Sequence, residues 1–194
     1  LGSIYEKKGE LEEAENHIMR ALEYDKNLVK AKINLATIYQ HRKKNKKAID
    51  IYSELEKDGH FDPNILFNSA NIYLAKGYYQ EGWERHEYRW NVFPAKNVKW
   101  PIEGRDLWEG QSGRDVVLWR EQGIGDELIF LGLVPEALDL SKSISVYIDE
   151  RLIPLCERSM PDVRFLSKPE QIDEQEFDCH LPMGSLPRLF RSSE

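Results

Sequence analysis

The sequence predicts two fold classes in succession: a helical solenoid over residues 1–92, then a parallel α/β sheet over residues 114–194. Three observations predict this. A set of small and aromatic residues recurs every 34 positions in the first half. Short apolar runs alternate with helical patterns in the second. Between them, residues 93–113 form a link punctuated by tryptophan and proline.

The repeat is visible when Leu1-Gly2-Ser3-Ile4-Tyr5 is set against Leu35-Ala36-Thr37-Ile38-Tyr39 and Ser69-Ala70-Asn71-Ile72-Tyr73. Ala14, Ala48 and Gly82 keep the same spacing, as do Gly9, Lys43 and Gly77. The predicted helices pair as 1–8 with 11–24, 28–41 with 45–57, and 63–76 with 79–91. Pro63 suits the first turn of a helix, and Asp62 before it suits the cap. Small residues let paired helices approach, tyrosines fill the gap, and each pair hides its apolar face on a neighbour. A helix–turn–helix unit of this period is the signature of the tetratricopeptide repeat. The helical pattern is already under way at Leu1, so the first repeat is read as incomplete and the chain as a fragment.

Such arrays bind extended peptides along the surface lined by the first helix of each pair. Asn34 and Asn68 share a repeat position there. Their amides form a candidate ladder for a peptide backbone, resembling the one in the superhelix of O-linked N-acetylglucosamine transferases. The plainer role is a bond to the neighbouring helix. The basic run His41-Arg42-Lys43-Lys44-Asn45-Lys46-Lys47 has the look of a nucleic-acid patch. It falls at a repeat turn, where solvated charge is expected.

All five tryptophans lie between Trp83 and Trp119, around Phe93-Pro94 and Trp100-Pro101. Large aromatics lock elements together, so the link is read as packed between two domains. An aromatic platform for sugar stacking is the alternative.

In the second half, Asp115–Trp119, Ile144–Ile148, Val163–Leu166 and Phe177–Leu181 read as strands. Helical patterns over roughly 126–141, 150–159 and 184–190 separate them. This alternation implies a parallel sheet, which binds ligands beyond the carboxyl ends of its strands. The turn Arg120–Gly125 occupies that rim. Gly123 and Gly125 are read as permitting backbone angles and close approach denied to other residues, and the helix start after them offers free N–H groups to an anion. The turn is neither a dinucleotide fingerprint, since Leu128 stands at the third glycine position, nor a P-loop. Asp126 fits an N-cap, or a general base taking a proton from an acceptor hydroxyl. Glu121 and Gln122 would contact a polar substrate or order the turn. His180, at a strand end, fits a satisfied core histidine.

Residues 82–90 (GWERHEYRW), 107–137 and 177–190 (FDCHLPMGSLPRLF) together resemble a bacterial arrangement of tetratricopeptide repeats fused to a GT-B glycosyltransferase region. That region is similar to ADP-heptose:lipopolysaccharide heptosyltransferases. The resemblance implies a Rossmann-like sheet and, at Gly125-Asp126, a catalytic base. It implies a nucleotide-sugar donor, with no metal needed for chemistry. GT-B enzymes bind that donor mainly on a second domain, whose pattern is not seen here. The polypeptide alone is therefore expected not to transfer sugar.

The function read from the sequence is a truncated glycosyltransferase-like protein whose repeats recruit a protein or peptide. The alternative is a non-catalytic interaction scaffold. Residues 1–100 hold 17 basic and 15 acidic side chains, and residues 101–194 hold 10 and 19. The acidic second half argues against a general nucleic-acid binder. No apolar run approaches the ~18 residues of a membrane span. Cys156 and Cys179 lack metal-ligand spacing and suit a reducing cytoplasm. An exposed sheet edge is a candidate for self-association.

Overall fold

The computed structural model describes residues 10–92, 102, 104–173 and 175–193. The chain divides into two compact units, Leu1–Phe93 and Pro94–Glu194. The expected helix 1–8, with Tyr5 and Gly9, and the link 93–101 lie outside the described residues.

In the first unit, helices α1 (Leu11–Tyr24), α2 (Val29–His41), α3 (Asn45–Lys57), α4 (Pro63–Ala75) and α5 (Tyr79–His86) follow the sequence map closely. A one-turn helix α6 (Arg89–Val92) completes it. On α1, Leu11, Ala14, Ile18 and Leu22 recur every three or four residues and pack on the core, as an amphipathic helix requires. At the start of α4, the Asp62 carboxylate accepts the Asn64 N–H at 2.8 Å, with Pro63 in the first turn.

The helix ends explain the recurring turn residues. Lys43 and Gly77 have φ of 58° and 82°. At the first, Lys44 N–H bonds Tyr39 O at 2.7 Å and Lys43 N–H bonds Gln40 O at 2.8 Å. At the second, Tyr78 N–H reaches Tyr73 O and Gly77 N–H reaches Leu74 O, both at 3.0 Å. This double bond pattern needs a left-handed residue just past the helix. Glycine takes it freely and Lys43 does so at a cost.

Ala14, Ala36, Ala48 and Ala70 are buried where helices touch. Gly82 holds the corresponding place on α5. A Cβ there would lie 2.7 Å from Leu74 Cγ and 3.0 Å from the Leu74 backbone nitrogen. Beside it, buried Arg85 joins three helices. It pairs with Glu56 at 2.8 Å and Glu81 at 2.7 Å, bonds Ser69 Oγ at 2.8 Å, and lies 4.2 Å from the Tyr73 ring centre. Burial works against its charge, but the hydrogen bonds it donates to the two carboxylates prevail and its pKa is raised.

The second unit is a five-stranded, all-parallel sheet in the order β1-β5-β2-β3-β4. Its strands are β1 (Asp106–Leu107), β2 (Asp115–Trp119), β3 (Ser143–Tyr147), β4 (Arg164–Leu166) and β5 (Cys179–Pro182). Its helices are α7 (Ile124–Leu131), α8 (Val134–Leu140), α9 (Ile153–Ser159) and α10 (Leu186–Phe190), with one-turn helices before α9 and α10. The single helix expected over 126–141 is two. Pro135 has no N–H to offer the carbonyl four residues back, so the first helix ends at Leu131. Residues 106–107, placed in the link by the sequence reading, form the edge strand β1, and Trp108 after them is fully buried in the sheet core. Its indole N–H donates to Gln111 O at 2.9 Å. Both edge strands are the shortest, which limits pairing with another chain.

Gly82→Ala should destabilise the first unit by about 1–3 kcal/mol through overpacking against Leu74, despite a helix-propensity gain of about 1 kcal/mol. Urea titration of the variant, followed by far-ultraviolet circular dichroism, would check the direction; an unchanged or raised midpoint would contradict it.

Candidate functional site

Two places carry polar groups that face outward. In the second unit, β2→β3 and β3→β4 run toward one edge of the sheet, while β5 lies on the other side of β2. The chain therefore reverses direction beside β2, and the crevice at the carboxyl ends of β2 and β5 is where such sheets take ligands.

The glycine turn stands there. Gly123 is the N-cap of α7 with φ −76°, and Gly125 is not among the left-handed glycines. Conformational freedom is therefore not why glycine occurs at either position, contrary to the sequence reading. Packing does not require glycine at either position. A Cβ on Gly125 would meet nothing within 4 Å, and one on Gly123 only Asp126 Oδ2 at 3.6 Å.

Asp126 turns back on this corner. Its Oδ2 accepts the Gly123 N–H at 3.2 Å, while its own N–H bonds Gly123 O at 3.0 Å. The carboxylate thus closes a local capping ring and remains partly exposed. Glu121 points across the crevice, and its Oε1 accepts the Gly184 N–H at 2.9 Å. That bond fastens the loop after β2 to the loop after β5. Gln122, partly exposed, forms no hydrogen bond among the described residues.

The sequence reading missed Glu127. It is 2 % exposed and sits between Arg120 and the loop after β3. Its Oε2 accepts the Asp149 N–H at 2.7 Å, and Arg120 Nε lies 2.9 Å from Oε1. Burial raises the Glu127 pKa. Arg120 also reaches Asp149 at 3.2 Å, and Arg151 holds the Asp149 carboxyl well below the usual range. The signal was present: three and four residues before Phe130 and Leu131, Glu127 stands on the inward face of an otherwise apolar helix.

His180 is a core residue, as read. It is 2 % exposed, its Nδ1 accepts the Trp119 indole N–H at 3.0 Å, and burial lowers its pKa.

The second place is a groove of about 380 Å³ in the first unit. Thr37, Gln40 and His41 of α2, Asn45 of α3, and Phe67, Asn68, Asn71 and Ile72 of α4 line it. Thr37 and Asn71 share one repeat position. The Asn68 amide donates to Thr37 Oγ1 at 3.5 Å, and Gln40 Nε2 donates to Asn68 O at 2.5 Å. Tyr52 donates to Gln40 Oε1 at 3.0 Å. Asn68 therefore bonds the neighbouring helix and lines the groove. Asn34, partly buried on α2, is not among the groove's lining residues. Behind Phe67, His86 lies 5.8 Å away, centre to centre, and Trp83 packs edge-on to His86. Burial, then Arg89, pushes the His86 pKa down to about 4.

Comparison with known proteins agrees with the repeat geometry. A tetratricopeptide repeat family model matches residues 1–28. The chain is also similar to Protein FlbA of Caulobacter vibrioides, 37 % identical over 104 residues. That alignment spans 51 % of this chain and 17 % of the relative. The first unit is an array of tetratricopeptide-type helical repeats, and a parallel sheet follows it. Among the described residues, no helix is long and apolar enough to cross a membrane.

Glu121→Ala removes the charged acceptor that joins the β2 and β5 loops. Stability should fall by about 1–3 kcal/mol, the usual worth of a hydrogen bond to a charged group. Amide exchange at Gly184 should quicken more than exchange in β2 and β3; equal protection in variant and parent would contradict the role.

Proposed function

We propose that this chain is an interaction scaffold whose repeats hold an extended protein segment in the groove between α2 and α4. One observation carries the reading. Thr37, Asn68 and Asn71, from equivalent surfaces of successive repeats, line the same open groove beside Phe67 and Ile72. Amides donate to and accept from a peptide backbone, while the apolar wall takes a side chain. The network through Tyr52 and Gln40 holds α2 and α4 in register before any ligand arrives, which lowers the ordering cost of binding.

Asn68→Ala combined with Asn71→Ala should weaken binding about tenfold or more, from two lost hydrogen bonds of about 1 kcal/mol each. An array of uncharged extended peptides, read by fluorescence, would measure this. Undiminished binding by the double variant, with helicity preserved, would exclude the groove.

A second reading concerns the sheet. The open corner at Gly123 and Gly125, with Asp126 beside it, supports an acceptor-side half-site for sugar transfer from a nucleotide-sugar donor. Asp126 would accept the proton of the attacking hydroxyl. The capping bond to Gly123 occupies one face of that carboxylate and would also orient it. In a protein carrying the donor-binding half as well, Asp126→Asn should reduce transfer at least about 100-fold, the usual contribution of a general base, and leave peptide binding intact. Full activity in that variant would remove Asp126 from the chemistry.

A further inference from the structure

The charge around the groove is one-sided. Residues 26–49 contain eight lysines and arginines and no aspartate or glutamate. Neither α2 nor α4 contains an acidic residue, whereas α1, α3 and α5 carry the acids of the array. The chain as a whole is acidic, at −7, so this segregation runs against its average.

Several of these cations are already engaged. Arg42 pairs with Glu15 and, at 3.3 Å, with Glu12. Lys32 pairs with Glu54 at 2.6 Å. Lys44 lies 3.9 Å from Glu15, and Lys44 and Lys47 sit 5.5 and 5.3 Å from the Tyr39 ring centre. Lys30, Lys43 and Lys46 are exposed and form no ion pair among the described residues. Lys43 and Lys46 bracket the segment from Lys44 to Asn45, and Asn45 lines the groove with His41. The basic turn therefore borders the groove through His41 and Asn45.

We propose that the groove selects an extended acidic peptide segment, with an apolar side chain against Phe67 and Ile72 and a carboxylate toward the Lys43–Lys46 turn. This rests on the groove reading above and adds the sign of the ligand's charge. The lining has amides and a phenyl ring but no carboxylate, so an acidic ligand meets no like charge inside it. Exposed ammonium groups at the rim steer and discriminate more than they bind. A polynucleotide is the poorer match. Polyanions bind through runs of neutralised phosphates, and here Lys43 and Lys46 stand at one turn with Lys30 apart from them, while Glu12 and Glu13 stand on α1.

The test uses fluorescence anisotropy of labelled twelve-residue peptides on the intact chain at low salt. Three share one apolar core and differ only in flanks of glutamate, serine or lysine; an oligothymidine of equal length is the fourth probe. The glutamate peptide should bind about tenfold tighter than the serine peptide, and the lysine peptide weakest. Lys43→Asn with Lys46→Glu should erase that order without changing helicity, since asparagine tolerates the left-handed backbone at residue 43. Phe67→Ala should weaken all three peptides alike. Equal affinity for glutamate and serine peptides overturns the charge selection and leaves the groove standing. Failure of every peptide to bind overturns both readings. Tighter binding of the oligonucleotide than of the glutamate peptide overturns the assignment to an acidic peptide.

Discussion

The first unit depends on backbone-to-backbone closeness of paired helices. A repeat array has no central core, so each pair must present a continuous apolar face to the next. That happens only if the two helices of a pair nearly touch. Ala48 and Gly82 mark where they do, and at Gly82 even a methyl group meets Leu74. The groove between α2 and α4 follows from this constraint. Fixing the pairs tightly leaves the first helices spaced by side chains, and polar residues at repeat-equivalent sites then line the gap. Arg85 shows the same logic with charge: a buried cation tolerated because Glu56, Glu81 and Ser69 surround it with acceptors.

Much of this is legible in the sequence because a period is a long-range signal carried by many positions. The helix boundaries follow from it to within a residue or two, except that the helix expected over 79–91 breaks after His86, and the turn positions Lys43 and Gly77 proved to share one backbone geometry. The strands were legible from apolar runs, except β1. Two residues leave no period to detect, and Asp106-Leu107 is recognisable only from its partner β5. The break at Pro135 was open to view but outweighed by the apolar pattern running through it.

Site chemistry was less legible, for a physical reason. Gly123 and Gly125 drew attention as glycines, yet neither has a left-handed backbone and a Cβ at either would meet no tight contact. Asp126 read as cap or base, and its bond to Gly123 is the cap. Glu127 went unremarked because a charged residue beside Asp126 looks like part of a solvated first turn. Its spacing from Phe130 and Leu131 puts it on the buried face, while Asp126 faces the rim.

That buried carboxylate has a mechanical corollary. Glu127 belongs to the helix that begins at the glycine corner, yet it grips the main chain at Asp149, in the next crossover, and Arg120 bridges both. Because Glu127 is buried, breaking this contact would leave a carboxylate without its acceptor role filled, which ties the two crossovers together. The corner beside Asp126 is thereby joined to the loop beyond β3 through the backbone of one helix.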